Sequence, residues 1–327
     1  MTLRLLLVHA HPDDETLNHG ATVAAALAAG HEVDLVTCTR GEEGEVIGAE
    51  HAHRVSSRDD SLAPVREAEL AAALAVLASA SPDGAPVAHH WLDALPPGPG
   101  QPPRPWARYR DSGMVVRPGG RAAVPPDVRP DAFAVADLDE AAARLAGLLT
   151  ARRPHVVLTY GPHGGYGHPD HVMAHRVTLR ALALAEETWC VPWVHGAAGD
   201  ADVLRAWLRE RDDPAAWPPD GPLPQMFVPA AQLDATVRAE PWLAVKAAAL
   251  AALPTQVTVR SVEPGQAAFT LSNDVPQPLT GAEGAQLLRP VPAAAEAPPV
   301  PADDPLAALL LPPGHRPRGA TDPGHVG

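Results

Sequence analysis

The sequence predicts an α/β fold of the Rossmann-like kind: a mostly parallel sheet with helices on both faces, an irregular Pro-rich insertion and a C-terminal extension. Three observations predict it. Short continuous apolar runs recur at 3–8, 33–37 and 155–160, as expected of strands buried on both faces. Each leads into a polar loop and then into a stretch with helical spacing of apolar residues, the alternation that builds a parallel sheet. Two of those loops are dense in His and Asp, and such sheets place ligands beyond the carboxyl ends of their strands.

The first run ends in His9-Ala10-His11-Pro12-Asp13-Asp14-Glu15. A helix follows, with Leu17, Ala21, Ala24, Leu27 and Ala28 on one face and Gly30 as its stop. The run at 33–37 is the next strand, and Gly41-Glu42-Glu43-Gly44-Glu45 is the loop after it. Pro64 opens a second helix at the favoured first position, and Leu70, Leu74 and Leu77 mark its buried face. A third strand is expected at 87–92. Asp137, Asp139 and Glu140 begin another helix and Arg152 and Arg153 end it, an order that suits the helix dipole. The run at 155–160 feeds Gly161-Pro162-His163-Gly164-Gly165-Tyr166-Gly167-His168-Pro169-Asp170-His171, and a helix follows.

The chain's 327 residues suit one large α/β domain with a small appendage. Aromatics are only 4%, so the core must be built from Leu, Val and Ala. Much of the Pro falls at 96–105, 117–130 and 289–318. The first two stretches make the irregular insertion. The third has too little apolar periodicity to pack, so residues 1–290 are expected to form the working domain and 291–327 a disordered tail. The formal charge of −14 argues against nucleic acid or an anionic membrane as a partner, while leaving room for a small polar substrate. No apolar stretch resembles a signal peptide or a membrane span, so a cytoplasmic protein is expected. Cys38 and Cys190 lie among apolar residues and read as buried free thiols. There is no P-loop, dinucleotide-binding glycine motif or nucleophilic Ser elbow.

His11 and Asp14 lie three apart at a strand-to-helix turn, and His171 completes a set of two imidazoles and one carboxylate. Three protein ligands with a fourth position open suit catalytic zinc; the same donors suit Fe(II), and one ion per subunit is expected. Two adjacent carboxylates cannot both ligate one ion well in this turn. Asp13 is therefore read as the base that takes a proton from the attacking water, against the alternative of a helix cap, a duty for which Glu15 is better placed. Tyr166 is assigned to the oxyanion and His168, protonated, to charge or a leaving-group proton, in a loop that Gly164, Gly165 and Gly167 let bend closely. Asp170 either orients a neighbouring His or caps the helix. Arg66 falls in the first turn of its helix, where a cation opposes the dipole, and on the inner face. It needs an anionic or polyhydroxyl partner or a structural salt bridge. Glu45 and Asp111 are loop acids, able to accept from sugar hydroxyls or simply to be solvated. His9 is read as supporting the site or the fold, and the remaining histidines as surface or packing residues.

At these residues the chain resembles the LmbE/PIG-L deacetylase family. The paired motifs His11-Pro12-Asp13-Asp14-Glu15 and His168-Pro169-Asp170-His171 carry the resemblance, which runs over residues 3–290. Thr37-Cys38-Thr39, Gly41 to Gly48 and Arg110-Asp111-Ser112-Gly113-Met114 bring it closest to the branch that deacetylates N-acetylglucosaminyl-inositol in mycothiol biosynthesis. The related S-conjugate amidases tend to carry a Lys shortly after the first motif, where this chain has Thr16-Leu17-Asn18. The resemblance implies His11, Asp14 and His171 as zinc ligands, Asp13 as general base, Tyr166 at the oxyanion and His168 assisting. It also implies that Glu45, Arg66 and Asp111 hold the sugar and inositol of a small N-acetylated amino-sugar substrate. Gly161-Pro162-His163 departs from the family's usual Asp-Pro-Asn at that place.

Overall fold

The computed structural model describes residues 2–54, 59–97, 108–117, 121–211, 213, 215–263 and 266–318. The elements run β1 (Arg4–His9), α1 (Asp14–Ala28), β2 (Glu32–Thr37), α2 (Ala63–Ala78), β3 (Ala88–Trp91), β4 (Val115–Val116), β5 (Ala122–Ala123), α3 (Leu138–Arg152), β6 (Val156–Tyr160) and α4 (Pro169–Ala185). They continue with β7 (Trp193–Asp200), α5 (Ala201–Arg209), β8 (Phe227–Val228), β9 (Ala235–Arg238), α6 (Leu243–Ala251), β10 (Thr258–Ser261), β11 (Ala268–Thr270), β12 (Gln277–Pro278) and β13 (Ala282–Leu287).

The main sheet has the order β3-β2-β1-β6-β7-β13-β9, with β8 paired to β7. Strands β3, β2, β1, β6 and β7 are parallel, and β13 runs antiparallel to both its neighbours. The expected fold class therefore stands. Side chains alternate across β1: Leu5 and Leu7 join one core with α1, α2 and α6, while Leu6 and Val8 join a second with α3 and α4. Each buried Leu contributes roughly 1.5–3 kcal/mol, which lets Leu, Val and Ala close two cores in a chain so poor in aromatics.

Caps form where the charge pattern predicts them. Asp137 accepts from the backbone N–H groups of Asp139 and Glu140 at the start of α3. Helix α1 is broken at His19, where φ is −136° and ψ 15°. The break frees the N–H groups of Ala21 and Thr22, which donate to the Glu283 carboxylate of β13 at 3.1 and 2.8 Å. Lys246, the chain's single lysine, lies 2.6 Å from the same carboxylate. Gly20 makes room for its stem: a Cβ there would stand 3.1 Å from Lys246 Cγ.

The expected disordered tail is corrected over 291–318. Val291, Leu306 and Leu309 are buried in the first core, and the turn Pro305–Leu309 lies against β9 and α1. Trp193 Nε1 donates to Leu311 O at 2.8 Å, and His195 Nε2 lies 2.9 Å from Leu309 O. His31 pairs with Asp304 at 2.8 Å. This strap is held by single apolar residues between prolines and by backbone carbonyls, neither of which leaves a periodic trace. The boundary at residue 290 goes with the correction, because both sides share one core. Residues 319–327 lie outside the described residues, as do 98–107 and 118–120 of the insertion. Both cysteines are free, but Cys190 is half-buried in a loop, its thiol donating to Glu186, and only Cys38 is a buried strand-end thiol. Among the described residues no helix is long and apolar enough to cross a membrane.

Candidate active site

The crossover direction reverses at β1, which has β2 on one side and β6 on the other. Loops leaving the carboxyl ends of β1 and β6 diverge there and open a crevice. The first loop brings His11, Asp13 and Asp14; the second brings Tyr166, His168, Asp170 and His171.

The backbone at Asp13 has φ 113°, a region that costs a residue with a side chain about 1–3 kcal/mol. Its neighbour Asp14 turns toward His11, with Oδ2 3.0 Å from the His11 backbone N and 3.1 Å from its Nδ1. Asp13 turns toward Arg66, Oδ2 to Nη2 at 3.0 Å. Asp13 makes no side-chain cap; Glu15 Oε2 accepts the Asp13 N–H at 3.2 Å instead. The capping alternative for Asp13 is thus taken by Glu15.

Three donor atoms face one another. His11 Nδ1, Asp14 Oδ2 and His171 Nε2 stand 3.1, 3.3 and 3.4 Å apart. Ligands on a tetrahedral ion with bonds of about 2.0–2.1 Å lie about 3.3 Å from each other. The set therefore fits a single small divalent ion. Two wider groupings exist, His11 with His168 and His171, and His11 with Asp111 and Asp170. In these, His168 Nδ1 also accepts the Asp170 N–H at 3.2 Å, and Asp170 and Asp111 accept from the N–H groups of Ser112 and Gly113 at 2.9 and 2.8 Å.

The electrostatics favour added positive charge. Burial works to raise the Asp14 pKa, but His171 and His11 overcome it and hold the carboxyl well below its usual range. Burial opposes charge on His11 as well, yet Asp111, Asp14 and Asp170 around the ring raise it well above an ordinary imidazole. Asp13 is pushed up to about 8, chiefly by burial and against the pull of Arg66. Four carboxylates thus gather in a buried volume, with Arg66 countering Asp13.

Asp170 Oδ2 lies 3.2 Å from His11 Nε2, so it orients the imidazole whose other nitrogen enters the donor triangle. The orienting alternative is the one realised; His168 caps α4. The expectation of a charged His168 is corrected. Burial, then His11 and His171, depress its pKa well below 6.5, and a nitrogen that accepts a backbone N–H leaves the proton on Nε2. Tyr166 is partly buried with its ring 5.4 Å from that of His171, and burial holds its phenol above the usual range. Asp111 is buried 3.6 Å from His11 Nε2 rather than solvated. Arg66 is buried on Asp13, Pro12 O and Gly41 O. Gly41 is required beneath it, since a Cβ would meet the guanidinium at 2.0 Å. Glu45 is exposed on its loop.

Sequence reasoning missed several supports. Ser112 donates to Asp170 from both backbone and hydroxyl. Glu42 accepts from the Asp111 N–H at 2.9 Å and from Arg108, and Glu43 pairs with Arg110. Paired acids in one loop and paired arginines in another were the available signal. Tyr160 stacks on His171 at 4.2 Å and 12°; its place at a strand end facing the second motif was the only trace.

Fold and donor set together define the class: an α/β protein on a Rossmann-like sheet, with a buried donor triangle able to hold one divalent cation. Comparison with known proteins narrows this. Residues 6–182 match the family model described as PIG-L, GlcNAc-PI de-N-acetylase. The chain is 42% identical over 301 residues to the 1D-myo-inositol 2-acetamido-2-deoxy-alpha-D-glucopyranoside deacetylase of Kribbella flavida, covering 88% of this chain and 92% of that one. The enzyme of the same name from Mycolicibacterium smegmatis is 41% identical over 296 residues, 86% of this chain and 88% of the relative. The chain belongs to the PIG-L family and is an N-deacetylase.

Proposed function

We propose that this protein hydrolyses the acetamide of N-acetylglucosaminyl-inositol to the free amine and acetate, using one zinc ion, or Fe(II), held by His11, Asp14 and His171. The observation that carries the reading is the donor triangle of 3.1–3.4 Å at the mouth of β1 and β6. The names of the relatives support the substrate. The same reading makes the substrate a small N-acetylated amino sugar and puts the work in the cytoplasm.

A divalent ion held there supplies Lewis acidity to the acetamide carbonyl and to the attacking water. Asp13 accepts the water's proton. Its carboxyl, pushed up to about 8, is poised for that exchange near neutral pH. Tyr166 keeps its phenolic proton and donates it in a hydrogen bond to the oxygen that becomes anionic. His168, neutral with the proton on Nε2, adds a second donor. Asp13 then passes its proton to the nitrogen as the C–N bond breaks, so the water's elements divide between acetate and amine. Arg66 acts through Asp13, opposing the rise of its pKa and aiming the carboxyl. Asp111 and Glu45 accept from sugar and inositol hydroxyls, Asp111 from inside the crevice and Glu45 from its rim.

The test is acetate release by metal-reconstituted protein from N-acetylglucosaminyl-inositol and from other N-acetyl sugars. The expected result is a higher kcat/KM on the inositol conjugate, lost with a chelator and restored by zinc. Equal rates on all N-acetyl sugars would remove the inositol part of the reading.

A further inference from the structure

We propose that Tyr160 is a positioning residue for the proposed metal ligand His171, which it holds through its ring face while its hydroxyl ties the ring to the backbone just before His11. This rests on the ligand set argued above. Tyr160 is the last residue of β6, buried, and aimed into the crevice between the two motifs. Its ring lies parallel to that of His171, with centroids 4.2 Å apart and planes 12° from parallel. Its hydroxyl oxygen accepts the Ala10 N–H at 2.8 Å, which occupies one lone pair and leaves the O–H as a donor. A ligating imidazole keeps its orientation when its neighbours fix the ring plane.

The far side of the ring is braced as well. His9 meets it edge-on at 5.1 Å and 87°, and His9 Nε2 lies 3.1 Å from His19 Nδ1. His19 is the residue at which α1 breaks, and the break is held by the buried Glu283–Lys246 pair. The imidazole at the irregularity in α1 thus meets the His9 ring of β1. The line from Lys246 to Tyr160 ends on His171. A simple packing aromatic would leave the metal's surroundings unaltered, so the cobalt spectrum separates the two roles.

The experiment compares parent protein, Tyr160→Phe and Asp14→Ala. Metal affinity is measured by chelator competition, the visible spectrum after cobalt loading, and kcat and KM separately. Tyr160→Phe is expected to bind metal about 10- to 100-fold more weakly, to alter the cobalt spectrum and to lower kcat with KM little changed. Asp14→Ala is expected to lose the ion. If Asp14→Ala loses the ion while Tyr160→Phe matches the parent in affinity and spectrum, the Tyr160 proposal fails alone. If Asp14→Ala binds as the parent does, the ligand set fails and the proposal falls with it. Should Tyr160→Phe not fold, the parent labelled with 3-fluorotyrosine decides: the chain has 3 tyrosines, and the Tyr160 fluorine resonance must shift when zinc binds. An unmoved resonance overturns the proposal.

Discussion

The two loops that meet at the crevice are built in opposite ways. The loop after β1 is charged and strained, placing Asp13 at φ 113° so that adjacent carboxylates point to different partners, Arg66 and His11. The loop after β6, up to His168, is built from glycines and neutral donors. Gly164, Gly165 and Gly167 take the positive φ angles, and Tyr166 and His168 carry no charge. In one loop backbone energy is spent on separating charges; in the other, glycines bring neutral donors close. Under the proposed function this difference becomes a division of labour, proton transfer on the first loop and oxyanion stabilisation on the second.

The sharpest way to break that division is Asp13→Ala. It should lower kcat by about a thousandfold while the protein still binds metal in a chelator competition; retained turnover would end the assignment. Tyr166→Phe should cost about a hundredfold in kcat without moving the pH profile, because a neutral donor is lost and no base is altered. Gly164→Ala tests the glycine-built loop itself. Its φ is +61° and a Cβ would stand 2.7 Å from Val172 N, so a loss of about 2 kcal/mol is expected in denaturant unfolding, with kcat falling as His171 shifts. The smallest effect is on pH. Asp13 works only when deprotonated, so activity rises as pH rises through its pKa, and Arg66 favours the deprotonated form. Arg66→Met should move the acid limb of kcat/KM upward by about one unit; a shift downward would contradict the ion pair's role.

By itself the sequence determined the order of the main strands and helices as far as α4 and pointed to the candidate donors. Apolar runs of strand length, Pro64 at a helix start, Asp137 as a cap and Gly30 as a stop are local signals, and the structure keeps each of them. His11, Asp14 and His171 were legible because each motif sits at the end of its own strand. What tertiary structure alone decided is which groups meet across long separations. Asp111 was a loop acid until the ion pairs Glu42–Arg108 and Glu43–Arg110 drew its segment in against His11. Tyr160 was one strand residue among several until stacking set it on His171. The break at His19 depends on a carboxylate from β13, and the strap 291–318 on carbonyls that any residue supplies. Periodicity records how a segment faces a core; it carries no information about a hydrogen bond to a distant backbone, because that bond depends on position in space and not on side-chain type.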